Sequence, residues 1–293
     1  MRRKSAISSL EDVIRSRSRP SSFPFITGDG FRAAADLVCD ETGLSGSWAP
    51  RGTVFCAPNH VNTLLDAVQT DGKSQLARNM VLVIHNGDKV PTRETFIRLL
   101  SLFNKVWSVN VTPELSELGI QPIPIGLENL HWQRNGEPTF FDLPHLRQNQ
   151  VPASRRPNLI LGSFRVETNA RIRVPLRDEI RVSPATWLEP TTELANYFAV
   201  VRSSAFVISP PGNGLDCHRT WEAIYLGAIP IVLRDSLPSE LVAGLPIHVV
   251  ASWAEVLDHD QSDLRRIAES YESQRINRAL LPYWFSLFYR RSP

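Results

Sequence analysis

Cysteine is scarce in this chain: Cys39, Cys56 and Cys217 are the only three, and they stand far apart. An odd number at wide spacing, with no Cys-x-x-Cys pair, argues against a disulfide framework, a zinc site or a redox couple. Cys39 and Cys56 lie in apolar runs and read as small buried hydrophobes, so a reducing, cytoplasmic compartment is expected. Long hydrophobic runs are missing too. No stretch of roughly 18 apolar residues occurs, so no membrane span is encoded and a soluble protein is expected. Met1-Arg2-Arg3-Lys4 has the charge of a signal-peptide start, but Ser5 to Arg19 has no apolar core and carries Glu11, Asp12, Arg15 and Arg17. Residues 1–20 therefore read as a frayed basic lead-in. Charge of one sign is absent as well: 32 Lys and Arg against 30 Asp and Glu leave a net +2, no general reason to bind nucleic acid. Repeats and low-complexity tracts are lacking. The pattern Gly-x-Gly-x-x-Gly after a strand is also lacking, which disfavours a dinucleotide oxidoreductase.

What is present suits two domains: 293 residues, 42% of them hydrophobic. In the first half, Thr53–Ala57, Met80–Ile84, Val106–Val111 and Pro122–Ile125 read as buried strands. Between the second and third, Phe96, Leu99, Leu100 and Phe103 repeat on one face of a helix over Thr92 to Lys105. The second half repeats the scheme with strands Asn158–Phe164, Ala205–Ser209, Ile229–Leu233 and Ile247–Val250 and a helix over Thr192 to Arg202. Ser252-x-x-Glu255 is a capping box that opens another helix. Alternating strands and helices predict an α/β protein with a parallel sheet in each half and ligands beyond the carboxyl ends of the strands. Asp142 to Pro157, polar and punctuated by Pro144, Pro152 and Pro157, reads as the linker. The domains are then 21–150 and 151–293. The aromatic segment Arg275 to Arg291 is expected to fill core as a helix broken at Pro282, and it is a candidate to pack back on the first domain.

The chemistry concentrates after Ala205–Ser209. Pro210-Pro211-Gly212-Asn213-Gly214 is a glycine turn, and a helix is expected from Asp216 as N-cap to Gly227 as C′ residue. Strand, glycine turn and helix N-terminus form an anion site in which backbone N–H groups of Gly212, Asn213 and Gly214 approach a diphosphate. On the helix, Arg219 and Glu222 are three apart and His218 and Glu222 four apart, on neighbouring parts of one face. Arg219 or His218 offers donors to phosphate oxygens, and Glu222 accepts from the hydroxyls of a ribose. An ordinary surface Arg–Glu pair is the plainer alternative, and the preceding glycine turn tells against it.

The run Gly212-Asn213-Gly214-Leu215-Asp216-Cys217-His218-Arg219-Thr220-Trp221-Glu222-Ala223, continuing through Gly227-Ala228-Ile229-Pro230-Ile231-Val232, resembles the donor motif of exostosin-like glycosyltransferases, including bacterial surface-polysaccharide relatives. Weaker echoes of bacterial members are Ile26-Thr27-Gly28-Asp29-Gly30-Phe31-Arg32, Val83-Ile84-His85-Asn86-Gly87-Asp88 and Pro122-Ile123-Pro124-Ile125-Gly126-Leu127-Glu128-Asn129. The resemblance implies a GT-B fold, two Rossmann-like domains facing across a cleft, with a nucleotide diphosphate sugar such as a UDP-sugar on the C-terminal one. It also implies that Arg219 contacts phosphate and Glu222 the ribose. Animal members carry a transmembrane stalk, and this chain departs from them in having none.

Inverting transfer to a glycan or other hydroxyl acceptor needs a base for the acceptor proton and stabilisation of the leaving diphosphate. His85 and Asp88, after Met80–Ile84, are the first candidates for the base, although His-Asn-Gly-Asp also makes a good turn. His60 is a second candidate and Glu128 a third. Asn129 is expected to line the acceptor side, with His131 and Trp132 as an aromatic sugar platform or as packing against the linker. In the second domain Arg165, Asn169 and Arg173 are expected at the donor phosphates, and Arg171 on a solvated helix face. No Asp-x-Asp stands at a strand end, and Asp258-His259-Asp260 reads as surface. Phosphate neutralisation by side chains and helix dipole, without a divalent metal or other cofactor, is expected. The alternative to an enzyme is a non-catalytic nucleotide- or sugar-binding protein with a degenerate site.

Overall fold

A computed structural model of the chain describes residues 19–70, 72–132, 134–141 and 150–288. Most of the basic lead-in, the part of the expected linker at 142–149 and the end of the aromatic segment lie outside the described residues. The chain divides into two compact units, Met1–Gly136 with Leu280–Pro293, and Glu137–Ala279. The division falls earlier than residue 150, so the proline-rich stretch belongs to the second unit, and the final helix is part of the first.

Unit 1 holds β1 (Leu37–Asp40), β2 (Gly43–Gly46), β3 (Thr53–Cys56), β4 (Val81–Ile84), β5 (Lys105–Ser108) and β6 (Gln121–Pro122). The sheet order is β2-β1-β3-β4-β5-β6, with β2 antiparallel to β1 and every other pairing parallel. Each new parallel strand is added on the same side. Right-handed crossovers advancing in one direction place their helices on one face. On that face Val54, Cys56, Leu82, Ile84 and Val106 pack with Leu64, Leu65 and Val68 of the helix Val61–Thr70 and Phe96 and Leu99 of the helix Arg93–Leu102. The other face needs its own cover. Trp107 meets Trp284 and Phe288 of the helix Leu281–Phe288, ring centroids 6.2 and 5.4 Å apart. Phe31, on the helix Gly28–Ala34, meets Phe285 and Phe288.

Unit 2 holds β7 (Asn158–Gly162), β8 (Thr186–Trp187), β9 (Ser204–Ile208), β10 (Ile229–Leu233) and β11 (His248–Val250) in the order β11-β10-β9-β7-β8. All pairings are parallel. The chain leaves β7 toward β8 through the helix Ala170–Val182, then returns through Leu194–Arg202 to lay β9 on the other side of β7. The winding therefore reverses between β7 and β9, the place where open α/β sheets bind ligands beyond the strand ends. Both units are Rossmann-like α/β layers. Among the described residues no helix is long and apolar enough to cross a membrane.

Several expected elements change length for local reasons. The strand over Pro122–Ile125 shrinks to Gln121–Pro122, because Pro122 and Pro124 have no N–H to extend the ladder. The strand over Val106–Val111 stops at Ser108, ahead of Asn110 at φ +56°. Pro282 does not break the last helix. It sits in the first turn, where a missing N–H leaves no bond unmade. At Ser252, Glu255 Oε1 does accept the Ser252 N–H at 3.0 Å, but the helix is only Ala254–Leu257. The longer helix that follows, Gln261–Ser270, is capped by Asp260 on the Ser262 N–H at 2.7 Å. Asp258, His259 and Asp260 are all exposed.

Candidate functional site

In unit 2 the loop after β9 runs into the helix His218–Tyr225. The helix starts later than expected. Its N-cap is Cys217, without a side-chain cap bond, and Asp216 instead accepts the Trp221 Nε1–H with both carboxylate oxygens at 3.0 Å. That bond is buried and seats the loop on the helix. The far end is as expected: Gly227 lies at φ +75°, with Gly227 N–H on the Ile224 carbonyl and Ala228 N–H on that of Ala223. This is a Schellman cap, which requires the left-handed conformation glycine adopts without strain.

Arg219 and Glu222 come together through a residue that sequence reasoning missed. The Tyr197 hydroxyl donates to Glu222 Oε2 at 3.0 Å and is itself hydrogen-bonded to Arg219. Burial first, and then the Glu222 charge, push the Tyr197 phenol well above its ordinary range, so it stays a neutral link between the two. Glu222 is buried. The Arg219 guanidinium lies over the Phe164 ring at 5.9 Å, and its Nε–H is buried without a hydrogen-bond partner. A buried charged donor left unpaired is costly, and it is a place for an anion.

Arg173 has a different role from the one its position suggests. Its Nε donates to the Pro211 carbonyl at 3.0 Å, and Nη2 to that of Pro210 at 2.9 Å. Nη1 donates to the Arg165 carbonyl at 2.9 Å and to Thr168 Oγ1, and Nη2 also reaches Cys217 Sγ at 3.6 Å. All five N–H groups are thus committed within the protein, and burial lowers the guanidinium pKa to about 10. Arg173 braces the loops after β7 and β9 against each other, where the winding reverses. Asn169 helps by donating to the Gly212 carbonyl at 3.2 Å. The Gly212 N–H is taken by the Gly214 carbonyl at 2.9 Å, so this turn bonds within itself. Asn213 and Arg165 are exposed, His218 is half-buried, and Arg171 is on the exposed face expected of it.

In unit 1 the expected base candidates scatter. His85 is buried. Its Nδ1 accepts the Asn86 N–H at 2.7 Å, which leaves Nε2 to donate to the Pro124 carbonyl at 3.2 Å. Both ring nitrogens are thus engaged by the backbone, and the ring packs on Phe31 at 5.5 Å. Asp88 is exposed, while His60, in the short turn Pro58–His60 after β3, and Glu128 are half-buried.

Asn129 leads to a constellation that was not foreseen. Its Oδ1 accepts the Asp29 N–H at 2.8 Å, and its Nδ2 donates to Asn86 Oδ1 at 2.9 Å. Asn86 Nδ2 donates in turn to Asp29 Oδ1 at 3.1 Å, from a left-handed backbone at φ +65°. Asp29 is 4% exposed. Its Oδ1 also receives Arg19 Nη1 at 2.9 Å, and its Oδ2 lies 2.5 Å from His131 Nδ1. Gly28 is what lets these loops meet, since a Cβ there would stand 1.6 Å from Asn86 Oδ1. The three segments quoted as weaker echoes are thus hydrogen-bonded to one another, two of them just past the carboxyl ends of β4 and β6. The sequence signal was present as three unconnected pieces. A second polar knot adjoins it: Asp40, at the end of β1, takes Arg32 Nε at 2.6 Å and is also paired with Arg19.

Fold and geometry together define a two-unit, Rossmann-like α/β protein with a polar constellation at the strand ends of each unit. No family model matches the chain, and no curated protein is significantly similar to it.

Proposed function

We propose that the chain is a glycosyltransferase of the exostosin-like, GT-B kind, moving a sugar from a nucleotide diphosphate sugar to a hydroxyl acceptor with inversion. The observation that carries this is the unpartnered Arg219 Nε–H beside the Tyr197-held carboxylate of Glu222, on the helix that follows the winding reversal of unit 2. In this reading Arg219 neutralises the diphosphate and stabilises it as it leaves, and Glu222 accepts the ribose hydroxyls. Arg173 keeps the loop in shape and does not touch the ligand. No divalent cation is needed, because a guanidinium does the work on the phosphate.

The test is calorimetric titration of the full chain with UDP, GDP and dTDP, with and without EDTA, followed by an assay for nucleoside diphosphate release from the matching sugar nucleotides. Binding of one nucleotide that survives EDTA, together with turnover, supports the reading. Binding without turnover favours a degenerate sugar- or nucleotide-binding protein, and no binding to any of the three removes the reading.

A further inference from the structure

Arg219 and Glu222 stand three apart on the helix His218–Tyr225, and opposite charges at that spacing attract. Left alone they would close on each other as an ordinary surface pair, with guanidinium and carboxylate engaged together and neither offered to a ligand. One hydroxyl stands in the way. The Tyr197 phenol keeps its proton, donates it to Glu222 Oε2 at 3.0 Å and accepts from Arg219 on its own oxygen. A single group bonded to both sets the separation and the orientation of both. A carboxylate has about four lone-pair positions, so one such bond fixes its plane without exhausting it. The Arg219 guanidinium also lies over the Phe164 ring at 5.9 Å, with its Nε–H unpartnered. Packing does not account for this tyrosine. Its neighbour Phe198, on the same helix Leu194–Arg202, is 2% exposed and meets the rings of Phe140 and Phe141 at 5.1 Å. Phe198 anchors the helix, whereas the Tyr197 ring is half-buried and reaches across to two charged side chains on another helix. Tyr225 is the structural counterpart: it is fully buried, and its hydroxyl donates to the Ala279 carbonyl at 2.6 Å.

We propose that Tyr197 is the positioning residue of the donor site: it holds Glu222 toward a ribose and Arg219 toward a diphosphate, and so makes the site select ribonucleoside over 2′-deoxyribonucleoside diphosphates. The proposal rests on the nucleotide reading of Arg219 and Glu222, and all the residues it uses belong to unit 2. The preference follows from charge. A carboxylate held in place as an acceptor gains both hydroxyl donors from a ribose and only one from a 2′-deoxyribose, and the missing donor leaves part of a poorly solvated charge unsatisfied. Without the phenol hydroxyl, the arginine and the glutamate close on each other, and the ribose and diphosphate contacts weaken together.

The experiment titrates the full chain by calorimetry with UDP, GDP, their 2′-deoxy forms and dTDP, for the wild type, Tyr197→Phe, Glu222→Gln and the double variant. The wild type should prefer the ribonucleotide by roughly tenfold or more, the size of a lost hydrogen bond to a charged group. In Tyr197→Phe, ribonucleotide affinity should fall by roughly tenfold and the preference should collapse toward equality. A merely structural tyrosine would lower the unfolding midpoint and leave the preference of the folded protein where it was. The double variant supplies a cycle: a tyrosine that acts through Glu222 changes the preference when Glu222 is present and adds nothing to it in Glu222→Gln. The wild-type comparison stands whether or not the variants fold. A wild-type chain that binds UDP or GDP no better than the 2′-deoxy form, or that binds dTDP alone, overturns the proposal and leaves the donor reading intact. So does a Tyr197→Phe variant with the wild-type preference, or a cycle in which the two substitutions act independently. A wild-type chain that binds none of these nucleotides overturns both.

Discussion

The two units use the same layers and arrive at opposite solutions to making a site. Unit 2 reverses its winding between β7 and β9, so a crevice at the strand ends comes with the topology, and Arg173 has only to keep its loops in place. Unit 1 adds its parallel strands in one direction and has no such reversal, so its polar constellation is assembled by side chains from three separate segments. The first kind of site takes its position from the topology, with side chains added to it. The second depends on each residue that closes the ring of bonds.

That contrast can be broken by substitution. Trp284→Ala strips cover from the face of the unit 1 sheet that the crossover helices leave bare, and should cost about 3–5 kcal/mol in urea unfolding. A small loss would mean that the one-sided sheet covers itself by other means. Arg173→Met leaves the carbonyls of Pro210, Pro211 and Arg165 without their donors, at about 1–3 kcal/mol each, so a loss of roughly 3 kcal/mol or more is expected. Retained stability would show that the reversal needs no brace. Glu222→Ala should weaken nucleotide binding by about 1.5–3 kcal/mol, and because it takes the acceptor from the buried Tyr197 hydroxyl it should also lower unfolding stability by about 1–3 kcal/mol. Unaltered affinity in calorimetry would remove the ribose contact.

The smallest effect concerns pH. Burial alone would raise the Asp40 carboxyl, but hydrogen bonds from Arg32 and Thr42 hold it at about 2, against about 3.9 in an unfolded chain. A depressed carboxyl stabilises the fold fully above pH about 4, and that contribution is lost as the pH falls toward 2. Asp40→Asn should therefore flatten the acid limb of stability for unit 1. An identical acid limb in the variant would mean that the pairing with Arg32 and Arg19 does not matter for folding.

How far all this was legible follows from how local each signal is. Ile229–Leu233 could be read to the residue because a continuous apolar run bounded by Gly227 and Arg234 has one plausible strand in it. Arg219 and Glu222 were legible because helical spacing alone puts them side by side. β2 could not be read, since Gly43–Gly46 is exposed throughout and pairs only because β1 offers an edge; β8 is two residues long. Tyr197 joins Glu222 from 25 residues away and His131 joins Asp29 from 102, and no spacing rule reaches that far. At His85 the place after a strand suggested chemistry, while the backbone partners that engage both nitrogens become apparent only in three dimensions.

The helix Leu281–Phe288 gives the chain an unusual order of assembly. The sheet of unit 1 is translated first, yet the aromatic side chains that cover its second face come after the whole of unit 2. At roughly 5–20 residues per second on the ribosome, the nascent sheet waits about 8–32 s with that surface exposed. Unit 2, contiguous in sequence, has everything it needs before then. Synthesis therefore runs against completion: the unit begun first is finished last, and a nascent chain stalled before residue 281 would carry a complete second half and a first half whose Trp107 lacks its aromatic cover.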